Sequence, residues 1–205
     1  VSTVIGKIDI SAFDGDGLLI EGTEGNDVLR GTGGSDLFIA YGGDDVIRAG
    51  GGDDSIVGGA GDDLIFGGFG NDVVEAGSGN DTIFGQFGDD CIHGAEGDDF
   101  ISGGKGKDTI DGGAGSDTMF GGGGQDVFLF DIEDFAAGEV DLISDFHVGQ
   151  DKIVIDGLGA GDTVAFDPSS NSIVVNGNSV IDLNLVDNFR DPKIEENEDG
   201  DYEII

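Results

Sequence analysis

From Gly22 to Leu129 the chain repeats a nine-residue pattern twelve times without an insertion. Every copy has Gly at its fourth place, Asp at its sixth and a large apolar residue at its eighth. The fourth-place glycines are Gly25, Gly34, Gly43, Gly52, Gly61, Gly70, Gly79, Gly88, Gly97, Gly106, Gly115 and Gly124. The sixth-place aspartates are Asp27, Asp36, Asp45, Asp54, Asp63, Asp72, Asp81, Asp90, Asp99, Asp108, Asp117 and Asp126. At the eighth place stand Leu29, Phe38, Ile47, Ile56, Ile65, Val74, Ile83, Ile92, Ile101, Ile110, Met119 and Phe128. Identical short units stack on their neighbours and extend along one axis instead of closing around one globular core.

Each copy divides into a Gly-rich stretch of six residues and a three-residue stretch whose middle member is apolar. Gly58-Gly59-Ala60-Gly61-Asp62-Asp63 followed by Leu64-Ile65-Phe66 is one example. Glycine permits backbone angles and close approaches that a Cβ blocks, so the first part turns. The second part runs straight and points its middle side chain inward. A reversal every nine residues makes one coil of 18, with equivalent residues stacked about 4.8 Å apart by parallel pairing. The predicted fold class is all-β: a parallel β-roll, a two-sheet solenoid with 18 residues per coil, and an antiparallel C-terminal cap. One sheet receives the strands around Leu29, Ile47, Ile65, Ile83, Ile101 and Met119, and the other those around Phe38, Ile56, Val74, Ile92, Ile110 and Phe128.

Each edge of such a roll carries a column of six aspartates. Bare carboxylates about 4.8 Å apart repel by about 0.9 kcal/mol per neighbouring pair even at the dielectric constant of water. The formal net charge of −36, from 44 acidic and 8 basic residues, points the same way. It repels nucleic-acid phosphates and anionic membranes and attracts cations, so no nucleic-acid partner is expected. The twelve inward side chains are too few to offset the entropy of ordering 108 residues. Cation binding is therefore expected to drive folding, with the metal-free repeats largely unfolded.

The oxygens available in the turns, carboxylate and carbonyl, suit hard, geometrically tolerant Ca²⁺ better than Mg²⁺ or Zn²⁺. Carbonyls of the first and third places are expected to serve one neighbouring ion and those of the second and fourth the other, with the sixth-place Asp shared. This makes the Gly34, Gly43, Gly52, Gly61, Gly70, Gly79, Gly88, Gly97, Gly106 and Gly115 carbonyls candidate ligands beside the twelve aspartates. Six turns on each edge leave five gaps, which predicts about ten ions.

Residues 1–21 read as a lead-in that covers the open end of the roll, since an uncapped solenoid edge invites aggregation. Residues 130–186 contain strand-like runs at 140–146, 152–158, 163–166, 172–176 and 179–183, with Asn176-Gly177 as a hairpin signal. They predict the antiparallel cap. Residues 187–205 form an acidic tail, in which Tyr202, Ile204 and Ile205 offer an alternative last strand. Cys91 is the single cysteine, so no internal disulfide is expected. No 18-residue apolar run predicts membrane insertion. The start at Val1, without a basic and apolar leader, gives no expectation of an N-terminal secretion signal.

The nonapeptides, together with Asp126-Val127-Phe128, Asp141-Leu142-Ile143-Ser144-Asp145-Phe146 and Gly149-Gln150-Asp151-Lys152-Ile153, resemble a known family. They are similar to the RTX C-terminal domain of serralysin-type secreted proteases and to related haemolysin-type calcium-binding proteins, over roughly residues 22–158. The resemblance implies a calcium-filled parallel β-roll, secreted to the extracellular medium unfolded by the type I machinery, which reads an uncleaved C-terminal signal. Glu203-Ile204-Ile205 is similar to, and shorter than, the acidic-then-apolar ending of such proteases, making the tail a candidate signal.

Outward aromatics recur in register: Phe66 and Phe84 at the ninth place, with Phe120 two coils on, and Phe69 and Phe87 at the third. They predict stacked ladders, or else a docking strip for a protein partner on the Phe66/Phe84/Phe120 face. Arg30 and Arg48 also share the 18-residue spacing and are expected to balance nearby acids. Cys91 and His93 share an outer face but lack the companions of a soft-metal site, and His147 reads as a surface or packing residue. Neither H-E-x-x-H nor G-x-S-x-G occurs, so the chain is expected not to be an enzyme. Two readings of function remain: a module that folds on extracellular Ca²⁺, and a structural, adhesive or docking appendage of a larger secreted enzyme or surface protein.

Overall fold

A computed structural model describes residues 17–135, 139–159, 162–183, 193–196 and 202–205. Two ten-stranded sheets face each other along the whole length of the roll. The first contains Val28–Arg30, Val46–Gly51, Leu64–Phe69, Thr82–Phe87, Phe100–Lys105 and Thr118–Gly123, all paired in parallel. The second contains Leu19–Glu21, Leu37–Ile39, Ser55–Ala60, Val73–Ser78, Cys91–Glu96, Thr109–Ala114 and Val127–Asp131, also parallel. Every pair within the repeats keeps an offset of 18, as in Ile65↔Ile83 and Ile92↔Ile110. The β-roll and its two-copy coil are thus as the periodicity predicts.

Full strands are longer than the three residues the pattern suggests. The ladder runs on into the next copy, pairing Gly50 with Gly68 and Phe69 with Phe87. Only the fourth to sixth places form the turn proper. The inward row is nonetheless the eighth place: from Phe38 to Phe128 these side chains are completely buried, and Leu29 at the open end is 9% exposed. Burying each such side chain contributes about 1.5–3 kcal/mol. The first place also faces inward, where Ala40, Ala49 and Ala76 leave no exposed surface.

The C-terminal region is antiparallel only in part. Val164–Asp167, Ser172–Val175 and Asn178–Leu183 form an antiparallel meander on the first sheet. Tyr202–Ile204 pairs antiparallel with Lys152–Asp156 and with Ile194–Glu196 on the second, which is the last-strand alternative. Between these and the repeats, three strands continue the parallel order. Asp141–Ile143 adds to Thr118–Gly123, Lys152–Asp156 adds to Val127–Asp131, and Asn178–Leu183 pairs in parallel with Asp141–Ile143. Phe146 then plugs the end of the core, 1% exposed, with its ring centroid 6.3 Å from that of Phe128.

At the other end, Leu19–Glu21 of the lead-in pairs with Leu37–Ile39. Residues 1–16 of the lead-in, and most of the acidic tail, lie outside the described residues. A short 3-10 turn at Ile132–Asp134 is the helical element among the described residues. None of their helices is long and apolar enough to cross a membrane.

Candidate metal centre

The turns bring the chain back on itself within van der Waals distance of the preceding coil. At Gly52, with φ of 99°, a Cβ would lie 2.5 Å from the Gly34 carbonyl carbon, so side chains are excluded there. This close stacking carries the sixth-place aspartates inward. From Asp36 to Asp126 each is at most 3% exposed, and Asp27 is half-buried.

One carboxylate oxygen of each Asp is used by the coil before it. The Asp45 N–H donates to Asp63 Oδ1 at 2.8 Å, Asp63 N–H to Asp81 Oδ1 at 2.7 Å, and so on along both edges. The other oxygen is left over. Oδ2 of Asp45, Asp54, Asp63, Asp72, Asp81, Asp90, Asp99, Asp108, Asp117 and Asp126 is buried and has no hydrogen-bond partner. Burial pushes the carboxyls of Asp63, Asp72, Asp99, Asp108 and Asp117 up to about 7. Those of Asp54, Asp81 and Asp90 rise to about 6 for the same reason. The accepted N–H opposes these rises, and neighbouring aspartates add to them.

A buried oxygen without a donor is costly, and a cation removes that cost. The surroundings suit one. A Cβ at Gly58 would sit 2.5 Å from both Asp63 Oδ2 and the Ala76 carbonyl oxygen, so carboxylate and carbonyl oxygens flank the same small space. No group of three or more His, Cys, Asp or Glu that could hold a metal is found among the described residues. An ion in the turns is then served by carboxylate oxygens together with backbone carbonyls or water, a hard oxygen set that suits Ca²⁺ and not Zn²⁺.

Two features of these columns escape the nine-residue pattern. Asp141 and Asp151 join them: Asp141 Oδ1 accepts from Asp117 N–H at 2.9 Å, and Asp151 Oδ1 from Asp126 N–H at 3.1 Å. Their signal was an Asp two residues before a buried Ile, in Asp141-Leu142-Ile143 and Asp151-Lys152-Ile153. Offsets of 24 and 25 in place of 18 hid it. The second feature is an outer ladder at the fifth place, running the opposite way. Asn71 N–H donates to Asp53 Oδ1 and Asp89 N–H to Asn71 Oδ1, at 2.8 and 2.7 Å. Asn, Asp and Ser recur at that place for this reason.

Comparison with known families places this geometry. The RTX calcium-binding nonapeptide repeat matches in four overlapping copies, at residues 21–56, 39–74, 67–101 and 93–128. The chain belongs to the RTX calcium-binding nonapeptide-repeat family. Its β-roll is a Ca²⁺-binding structural module. No curated protein matches the chain.

On the outer faces of the RTX roll the aromatic ladders form. Phe66 and Phe84 stack with ring centroids 5.3 Å apart, and Phe69 and Phe87 at 4.8 Å. Phe120 is connected to the first ladder through Phe100, which the 18-residue spacing did not single out. Phe100 lies 6.0 Å from Phe84 and 5.4 Å from Phe120, bridging the coil where Ser102 stands at the ninth place. Arg48 sits over the Phe66 ring at 5.2 Å, a cation–π contact. His93 faces Glu75, with Nδ1 3.8 Å from Oε1, and Cys91 is a free, half-buried thiol.

Proposed function

We propose that the RTX roll is a non-catalytic module that folds when Ca²⁺ enters its turns, outside the cell, after export as an unfolded chain. The observation that carries this is the row of ten buried Asp Oδ2 atoms without a hydrogen bond. Such oxygens, in columns of like charge, oppose the metal-free fold and favour the loaded one. Bound Ca²⁺ supplies the positive charge that lets adjacent carboxylates remain ionised at close spacing.

The ligands on this reading are the sixth-place aspartates and the turn carbonyls, including those of Gly34, Gly43, Gly52, Gly61, Gly70, Gly79, Gly88, Gly97, Gly106 and Gly115. About ten ions follow from five gaps on each edge. Low calcium inside a cell keeps the chain loose enough for the type I machinery, and millimolar calcium outside closes it. Circular dichroism during a calcium titration, with magnesium as control, tests this directly. Strand signal that is already complete in chelator overturns it.

A second reading, a docking appendage of a larger secreted protein, is favoured by the continuous strip of Phe66, Phe84, Phe100 and Phe120. Phe69 beside it is 63% exposed. On this reading Phe66→Ser with Phe84→Ser abolishes self-association or partner binding of the calcium-loaded chain in size-exclusion chromatography.

A further inference from the structure

The ten unpartnered oxygens belong to consecutive turns, from Asp45 to Asp126, while the turns at either end differ. Asp27 Oδ2 accepts from Thr23 N–H at 2.6 Å and from Thr23 Oγ1 at 2.8 Å. Asp36 Oδ2 accepts from Thr32 N–H at 2.6 Å and from Thr32 Oγ1 at 3.0 Å. Beyond the repeats, Asp151 Oδ2 accepts from His147 N–H at 2.8 Å. In each case the donor lies four residues upstream, at the second place of its turn.

The second place also separates the two kinds of turn by backbone conformation. In the ten turns with an unpartnered oxygen it is Tyr41, Gly50, Gly59, Gly68, Gly77, Gln86, Ala95, Gly104, Gly113 or Gly122, all with positive φ between 75° and 123°. Thr23, Thr32 and His147 are not among the positive-φ residues. The two states differ by the orientation of the peptide between the first and second places. One orientation presents its N–H to the sixth-place carboxylate, and turning it over withdraws that donor. A β-branched residue resists positive φ strongly, so Thr holds the first orientation. Tyr41, Gln86 and Ala95 accept the second despite the cost to a residue with a Cβ, which shows that the open state does not depend on glycine alone.

We propose that the second-place residue decides whether a turn accepts a cation, and that Thr23, Thr32 and His147 lock three of the four column ends into turns that take none. The inference rests on the calcium reading above and narrows it: Asp27, Asp36 and the Gly34 carbonyl leave the ligand set, and the gaps that their turns bound leave the count of ten ions. Asp27 and Asp36 lie within the family match but have exchanged the ion for hydrogen bonds from their own turn. The locks keep calcium from the Asp27, Asp36 and Asp151 turns and give those column ends a closure that needs no metal.

Counting bound calcium on the full chain by native mass spectrometry, with equilibrium dialysis at saturating calcium, tests this. Asp36→Asn is expected to leave the count unchanged, whereas Asp54→Asn lowers it. Gln86→Thr is expected to lower the count beside Asp90, while Gln86→Gly preserves it. Thr32→Gly opens its turn and raises the count. Circular dichroism of each loaded variant confirms that the roll is formed. Equal losses in Asp36→Asn and Asp54→Asn overturn the inference, as do equal counts in Gln86→Thr and Gln86→Gly. A wild-type chain that binds no calcium overturns the calcium reading itself, a result distinct from either.

Discussion

At the scale of single residues, the sixth-place carboxyls link the roll to pH. Their values in the folded chain lie above the ordinary 3.8 because burial disfavours the charged form. In the metal-free state the folded chain thus holds protons that the unfolded chain releases. Their stabilising contribution is fully present below about 4 and is lost as pH rises through about 6 to 7. In chelator, strand content measured by circular dichroism is therefore expected to be greater at pH 5 than at pH 7.5. Calcium competes for the same oxygens, so its uptake by the protonated roll at pH 5 should release protons, measurable in weakly buffered solution. Asp72→Ala removes one member of a column and should weaken the sites flanking its turn, leaving distant ones intact. The sixth place was legible from sequence because a charge repeated at fixed spacing has no other use for burial. The second place was not, since Gly, Tyr, Gln, Ala and Thr share no chemistry; they differ in the φ they tolerate, and that appears only in the fold.

At the scale of strands, the inward row followed directly from the eighth place, because a coil of two copies stacks Ile65, Ile83 and Ile101 on one another. Ile83→Ala should cost about 2–5 kcal/mol in the calcium-loaded roll, read from denaturant unfolding. On the outer face, Phe84 touches both Phe66 and Phe100. Phe84→Ala is expected to cost about 1 kcal/mol per lost ring contact without altering the number of ions bound. The Asn176-Gly177 signal was legible as well: both residues have positive φ, 53° and 85°, as a two-residue hairpin turn requires. The continuation of the parallel order through Asp141–Ile143 and Lys152–Asp156 was not, because longer connections break the nine-residue rhythm that announces the earlier coils.

At the scale of the molecule, removing the ion and screening the charge are different operations. Sodium chloride at 1 M weakens repulsion among exposed acids, since the screening length falls to about 3 Å. It leaves the buried Oδ2 atoms without partners. Concentrated salt in chelator is therefore expected not to restore the strand signal that millimolar calcium gives, by circular dichroism on the same sample. The unchanging offset of 18 also bears on how the chain finds its alignment. Within the array, a strand displaced by a whole coil meets nearly the same partners, so the interior of the roll says little about which layer is which. The links that deliver Asp141 and Asp151, with offsets of 24 and 25 in place of 18, fit at one layer only. They act as a phase mark, and a coil assembled out of step there would be forced to loop out complete nonapeptides.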